Sequence, residues 1–332
     1  MNPPVPSAPA SPPLNVMIIA GGLSHERDVS LRSGRRIAGV LSDEGMAVTV
    51  HDVDAALLGA IEAQRPDVIF PLVHGSTGED GSLRSLLQLL DIPFVGSRAA
   101  ACRVASRKPV AKGIVRRAGV ATPSFVTLPR GLFTEMGSAT VLEAVVEGLG
   151  MPLAVKPEDG GSALGVTVVT DRSQLPDAMV RCFSYGDSAL IERAVAGTEV
   201  AISIIETEDG ELHALPPVEI VTDGAYDYDA RYNAGRTEYF VPARLDASVS
   251  AAACEAAKLA HRALGLRDLS RVDLIIDSEG TPWMLDVNVA PGMTETSLFP
   301  QAVRAEAADN EERAGDIYAR LVRRAAARGP VG

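Results

Sequence analysis

The chain has 332 residues, with 31 Lys+Arg against 43 Asp+Glu and a formal net charge of −12. Apolar residues make up 46% and aromatics only 4%, which is too apolar for a disordered chain and enough for two or three domains of roughly 100–200 residues with mostly aliphatic cores. The acidic balance disfavours a nucleic-acid binder, which needs a basic surface, but leaves room for a local basic pocket that takes a nucleotide.

The elements follow in chain order. Residues 1–13 contain six prolines and read as a flexible tail with little to bury. Leu14–Ala20 is an apolar run ending at Gly21-Gly22, the pattern of a buried strand before a tight turn. Ser30–Leu41 has helical spacing, Met46–Val53 alternates as a strand, Ala55–Ala63 is helical, and Asp67–Leu72 is a second apolar strand. Alternating strands and helices predict a doubly wound parallel sheet over residues 14–96.

A basic helical stretch from Ala101 to Ala118 comes next. After it, Pro152–Lys156 and Val166–Thr170 read as strands joined by a glycine-rich loop. Ser188–Ile191 and Val200–Ile205 are further strands, and Val272–Asp277 pairs with Pro282–Asn288 through a turn at Ser278–Gly280. Helices are expected over Val141–Leu149, Asp246–Leu264 and Asp316–Ala327. This part reads as α+β, divided into residues 97–189 and 190–332.

Cys102, Cys182 and Cys254 are odd in number and widely spaced, so they form no disulfide framework and read as buried thiols in a reducing compartment. No apolar run of about 18 residues appears, and the tail lacks a signal-peptide pattern, so the expectation is a cytoplasmic protein without a membrane partner.

Three regions carry candidate chemistry. The loop from Lys156 to Gly165 is rich in glycine but lacks the P-loop pattern, and a strand follows it. Its backbone can turn N–H groups towards an anion, with Lys156 adding a point charge; an ordinary hairpin is the plain alternative. On the strand pair near the C-terminus, Arg271, Asp273 and Ile275 share one face, as do Met284, Asp286 and Asn288. Asp273 then stands roughly opposite Asp286, with Cβ atoms ~5 Å apart. Two acids that close need a cation between them, either Arg271 or a divalent metal with the Asn288 carbonyl as a third oxygen ligand. The third region is a pair of loops, Gly21–Asp28 and Val73–Gly81, beyond the carboxyl ends of parallel strands, where doubly wound folds bind ligands. Glu26 there could hold an ammonium group. The concentrated aromatic and cationic segment Tyr226–Asn233 reads as a lid that excludes water or, more plainly, as a rim of surface tyrosines.

Six segments, GGLSHERDVSLRSG, LVHGSTGEDG, VKPEDGGSALGV, YDYDARY, RVDLIID and DVNVAPGMTETSL, in this order, resemble the D-alanine–D-alanine ligase family of the ATP-grasp superfamily. The resemblance runs from about residue 15 to about residue 310 and implies three α/β or α+β domains, with ATP gripped between the second and third. It further implies that Lys108 and Lys156 contact ATP phosphates under the Gly160–Gly165 loop, including Gly161 and Ser162. Glu192 and the backbone near Val195 would hold the adenine and Glu199 the ribose, with Arg231 among the nucleotide contacts. Asp273, Asp286 and Asn288 match the family's Mg²⁺ (or Mn²⁺) ligands. Glu26 would bind the amino group of the first D-alanine with His74 beside it, and Ser162 and Tyr232 would link to Glu26. Arg271 and the Gly292 N–H would stabilise the oxyanion, while Ser297 and Leu298 position the second amino acid.

The implied activity is ATP-dependent ligation through an acyl phosphate for peptidoglycan precursors. The implied partners are small molecules only, in a homodimer. The chain departs from the family pattern at several positions. Arg231 replaces a lysine, Asp286 a glutamate, Arg107 an aspartate, and Gly160 and Ala163 a Glu and a Ser. Glu295-Thr296 replaces a Ser-His pair, and Ala194 a larger residue. These changes motivate two alternatives, a ligase of specialised metabolism with other amino acids and a catalytically silent nucleotide-binding relative.

Overall fold

The computed structural model describes residues 12–222 and 237–329. The N-terminal part runs β1 (Asn15–Ile19), α1 (Arg27–Asp43), β2 (Ala47–His51), α2 (Leu57–Gln64), β3 (Val68–Pro71), α3 (Ser76–Glu79) and α4 (Ser82–Leu89). Its three strands are parallel in the order β2-β1-β3. Strand β1 is apolar at nearly every position because both faces of the sheet are covered. Val16, Ile18 and Ala20 pack with Ile37 and Leu41 of α1, whereas Met17 and Ile19 pack with Leu57, Ile61, Leu83 and Leu87.

At the end of β1 the chain must turn tightly. Gly21 has φ +115°, and a Cβ there would stand 2.1 Å from Asp52 Oδ1, so only glycine fits. The turn is pinned by Gly21 N–H donating to Ser30 Oγ at 2.7 Å and Gly22 N–H donating to Asp52 Oδ1 at 2.8 Å.

The basic stretch is two helices, α5 (Ala99–Ser106) and α6 (Lys108–Arg117), broken at Arg107, which has φ −91° and ψ 93°. Pro109 is the reason. It has no N–H to continue the first helix but suits the opening turn of the second, and this places Lys108 at a helix start facing the cleft.

A four-stranded sheet follows, built from β4 (Phe125–Pro129), β5 (Leu153–Pro157), β6 (Thr167–Val169) and β7 (Ser188–Arg193) in the antiparallel order β4-β7-β5-β6. Helices α7 (Arg130–Met136), α8 (Ser138–Leu149) and α9 (Leu175–Cys182) cover it, with Leu153, Val155, Ala189 and Ile191 buried against Phe133, Val145 and Met179. Strand β7 continues past residue 189 to Arg193, so this sheet reaches beyond the division expected there.

The larger sheet contains β8 (Thr198–Glu206), β9 (Leu212–Ala214), β10 (Val218–Thr222), β11 (Thr237–Phe240), β12 (Leu269–Ile276) and β13 (Pro282–Asn288). Its order is β11-β10-β8-β12-β13, with β9 also on β8. Helix α10 (Ala247–Ala263) and helices α5 and α6 cover one face, meeting Val200, Ile202 and Ile204. On the other face, Ala201 and Ile205 join the core of α11 (Leu298–Asp309), α12 (Ala314–Arg328) and α1. The last helix therefore packs back against the N-terminal unit, and one continuous core joins the two ends of the chain.

Candidate functional site

A cavity of about 810 Å³ opens where the loops of the N-terminal unit, the glycine loop and the strands β12 and β13 converge. Of the residues singled out from the sequence, Glu26, His74, Lys108, Lys156, Gly161, Ser162, Glu192, Val195 and Glu199 line it. So do Arg271, Asp273, Asp286, Asn288, Gly292, Ser297 and Leu298. Arg231 and Tyr232, with the rest of the expected lid, lie outside the described residues.

Glu26 is the N-cap residue of α1 and is buried. Its Oε1 accepts a hydrogen bond from Ser162 Oγ, tying the glycine loop to the N-terminal unit. That loop places Ser162 and Ala163 at φ +52° and +56°, a left-handed conformation that costs of order 1–3 kcal/mol per non-glycine residue. Lys108 Nζ donates to Gly160 O at 2.5 Å and stands 3.8 Å from Asp286 Oδ2. The loop is thus held from both sides of the cavity.

Glu79 also lines the cavity, and its Oε1 accepts from Gly75 N–H at 3.1 Å. Burial, and then the neighbouring Glu26 carboxylate, push its carboxyl up to about 8. At neutral pH it keeps its proton, so Glu26 and Glu79 do not both add charge there. Glu79 ends α3 within a segment that the sequence marks for ligand binding, but only its neighbours in space give it a raised pKa.

His74 is buried, with Nδ1 3.0 Å from Ala290 O and Nε2 3.4 Å from Ser33 Oγ. Burial first, then Arg271 and Arg84, outweigh the Ala290 bond and push it down to about 4. With its pKa lowered that far, the imidazole is neutral near pH 7.

On the floor of the cavity, Glu192 takes two lysines. Lys156 Nζ stands 2.6 Å from its Oε1, and Lys112 Nζ stands 2.9 Å from its Oε2 as an ion contact out of hydrogen-bond alignment. Lys112 is 0% exposed and also donates to Thr122 Oγ1 at 2.8 Å and Met284 O at 3.2 Å. Burial and then Lys156 push Lys112 down to about 8. Burial alone would raise Glu192, but the two ammonium groups outweigh it and hold the carboxyl below its ordinary range. Within the basic stretch, Lys112 stands out only once α6 is seen to bury it. Glu192 lines the cavity with its carboxylate already committed to these lysines.

Asp273 and Asp286 are cross-strand partners, as are Arg271 and Asn288, with a register shift just after Asp273. Arg271 donates to Asp273 through Nε and Nη2 at 2.7 and 2.8 Å, a bidentate pair. The first of the two cations offered by the strand pattern is therefore in contact with Asp273. Asp286 Oδ1 accepts from Val287 N–H at 3.0 Å, and Asn288 Oδ1 accepts from Ala290 N–H at 2.8 Å. Among the described residues no three His, Cys, Asp or Glu side chains cluster as metal ligands. The donor set is two carboxylates and one amide, hard oxygens of the kind that leave a magnesium ion open to phosphate and water.

Beyond this pair, Gly292 lies against Ser297, where an added Cβ would come 2.8 Å from Ser297 Oγ. Ser297 Oγ accepts from Thr294 N–H at 3.1 Å, and its residue is the N-cap of α11, so Leu298 begins that helix. No helix of the described residues is long and apolar enough to cross a membrane.

Comparison with known proteins adds an independent line. A relative named D-alanine–D-alanine ligase from Anaeromyxobacter sp. (strain K) is 40% identical over 287 residues, 86% of this chain and 90% of its own length. The crystal structure of the D-alanine–D-alanine ligase from Bacillus anthracis superposes with a TM-score of 0.79 at 27% identity, covering 95% of this chain and all (100%) of that one. The same enzyme complexed with ATP gives 0.76 at 25% identity, over 95% and 98% of the two chains. Family models match residues 56–97 as the D-Ala D-Ala ligase N-terminus and residues 114–313 as its C-terminus. With this agreement added to the fold, the chain belongs to the D-alanine–D-alanine ligase family, whose fold is ATP-grasp.

Proposed function

We propose that the protein is an ATP-dependent, ADP-forming ligase that joins two D-alanines in the synthesis of peptidoglycan precursors. One observation carries the reading. A single cavity brings together a carboxylate suited to an ammonium group, lysines suited to phosphates, an arginine and an opposed pair of acids.

A carboxylate is a poor acyl donor because its leaving group is oxide. Transfer of the γ-phosphoryl group to it makes an acyl phosphate, and Lys108 and Lys156 draw the phosphate charge into place. Asp273, Asp286 and Asn288 would hold Mg²⁺ or Mn²⁺, which when bound neutralises phosphate charge. Glu26 binds the ammonium of the first D-alanine, with His74 beside that subsite. Gly161 and Ser162 close the loop over the nucleotide, Val195 and Glu192 lie at the adenine end, and Glu199 lies towards the ribose. The amine of the second D-alanine, seated at Ser297 and Leu298, attacks the acyl carbon, and phosphate leaves. Arg271 and the Gly292 N–H donate to the developing oxyanion. Arg231 and Tyr232, outside the described residues, would help exclude water from the acyl phosphate. The proposal extends to a cytoplasmic homodimer; sedimentation of the purified chain reads the dimer, and cell fractionation the compartment.

The test is phosphate release from Mg-ATP with a panel of D- and L-amino acids. Turnover with D-alanine alone supports the proposal. Turnover only with other pairs assigns the chain to specialised metabolism, and none with any acceptor makes it a silent relative.

A further inference from the structure

Besides Ser30, which pins the turn after β1, helix α1 carries two buried polar side chains on one face, Glu26 at its N-cap and Ser33 seven residues later. The first belongs to the ammonium subsite. The second reaches across the molecule to the turn that follows β13. Met293 N–H donates to Ser33 Oγ at 3.0 Å, and His74 Nε2 stands 3.4 Å from the same oxygen. His74 Nδ1 lies 3.0 Å from Ala290 O.

The Ala290 contact fixes the proton at one ring nitrogen. A carbonyl oxygen only accepts, so Nδ1 carries the ring proton and donates to Ala290 O. The neutral ring then has a lone pair at Nε2. Ser33 Oγ accepts from the Met293 amide, and its own proton is free to point at Nε2. Burial disfavours the imidazolium, in which Nε2 would donate to Ser33 Oγ instead of accepting from it. The two partners, Ala290 and Met293, bracket Gly292. Both ends of the turn that presents the Gly292 amide are therefore fixed to the N-terminal unit, one through His74 and one through Ser33.

We propose that Ser33 is a positioning residue that, with His74 locked as its Nδ1–H tautomer, aims the Gly292 amide at the developing oxyanion. The proposal deepens the ligase reading and rests on it. It gives His74 a defined part, that of a brace, with its ring lone pair turned to Ser33 and so withheld from the amine nucleophile. It also explains how one helix can set two subsites at once, since Glu26 and Ser33 move together.

Two measurements test it on the full-length protein. Imidazole ¹⁵N–¹H correlations, assigned by comparison with His74→Gln, are expected to show His74 protonated at Nδ1 and bare at Nε2 at neutral pH. An Nε2–H tautomer or an imidazolium at pH 7 overturns the brace. Ser33→Ala is expected to lower kcat by about tenfold or more, as small misplacements of reacting groups do. Its KM for ATP should stay within about twofold, because ATP binds at the other end of the cavity. In the same variant the His74 Nε2 resonance should shift. An unchanged kcat overturns the proposal, as does a parallel rise of KM for ATP and fall of kcat, which would mark general damage. A wild-type chain without ligase turnover overturns the functional reading itself. The tautomer measurement needs no turnover, so the two failures are distinguishable.

Discussion

Asp273 on β12 faces Asp286 on β13 as a cross-strand partner, and Arg271 grips Asp273 with two hydrogen bonds of 2.7 and 2.8 Å. One acid of the pair is thereby neutralised within the protein. The other has Lys108 no nearer than 3.8 Å, so its charge is open to a cation that arrives with the nucleotide.

Asp286→Asn should therefore raise the magnesium needed for half-maximal phosphate release by roughly tenfold or more, as disruption of metal-site partners does. A magnesium titration at fixed ATP checks this. An unshifted midpoint would remove Asp286 from the ligand set.

Replacing Arg271 removes a donor to the oxyanion and leaves Asp273 without its bidentate partner. Arg271→Ala should cost about 10²-fold or more in kcat. Arg271→Lys keeps the charge but loses the fork geometry, so it should recover only part of the rate. Equal rates for wild type and Arg271→Ala would refute the assignment.

Lys112 tests the buried floor of the cavity. Its ammonium touches Glu192, Thr122 and Met284 with no solvent contact. Lys112→Met leaves Glu192 with Lys156 alone, and breaking a buried pair costs about 3–5 kcal/mol. Urea unfolding should show a loss of that order, together with weaker ATP binding as Lys156 alone is left to balance Glu192. Unaltered stability would mean that the pair contributes nothing net.

Glu79 makes stability depend on pH in a defined window. Its carboxyl is raised from an ordinary 4.5 to about 8. Between those values the folded state holds a proton that the unfolded chain has released. Stability from this group therefore falls as pH rises through the window, and above about 8 the loss is complete. Glu79→Gln cannot ionise, so its Tm should gain on wild type as pH goes from 5 to 8. Parallel Tm curves for the two proteins would contradict the shift.

Much of this was legible along the chain because it depends on near neighbours. The uninterrupted apolar run at Val16–Ala20 implied a strand covered on both faces, since alternation disappears when neither face meets water. Strand periodicity likewise placed Asp273 across from Asp286, because a short turn leaves little choice of register. The break at Arg107 was not anticipated, although Pro109 supplied the local signal. The short helices α3 and α7 have no counterpart in the sequence pattern, and neither do α4, α9 and α11. Their short apolar stripes become informative only against the sheets that they cover.

Local order along the chain thus determined the fold class, the family and many of the residues that line the cavity, through patterns spanning a few residues to a few tens. Tertiary structure decided which charges meet. Lys112 joins Glu192 from 80 positions away, and Ser33 joins Met293 from 260 away. The energies of such pairs depend on burial and distance, and neither exists until β7, α6 and α1 are packed together. The same packing turns an ordinary histidine into a neutral brace and an ordinary glutamate into an acid that keeps its proton.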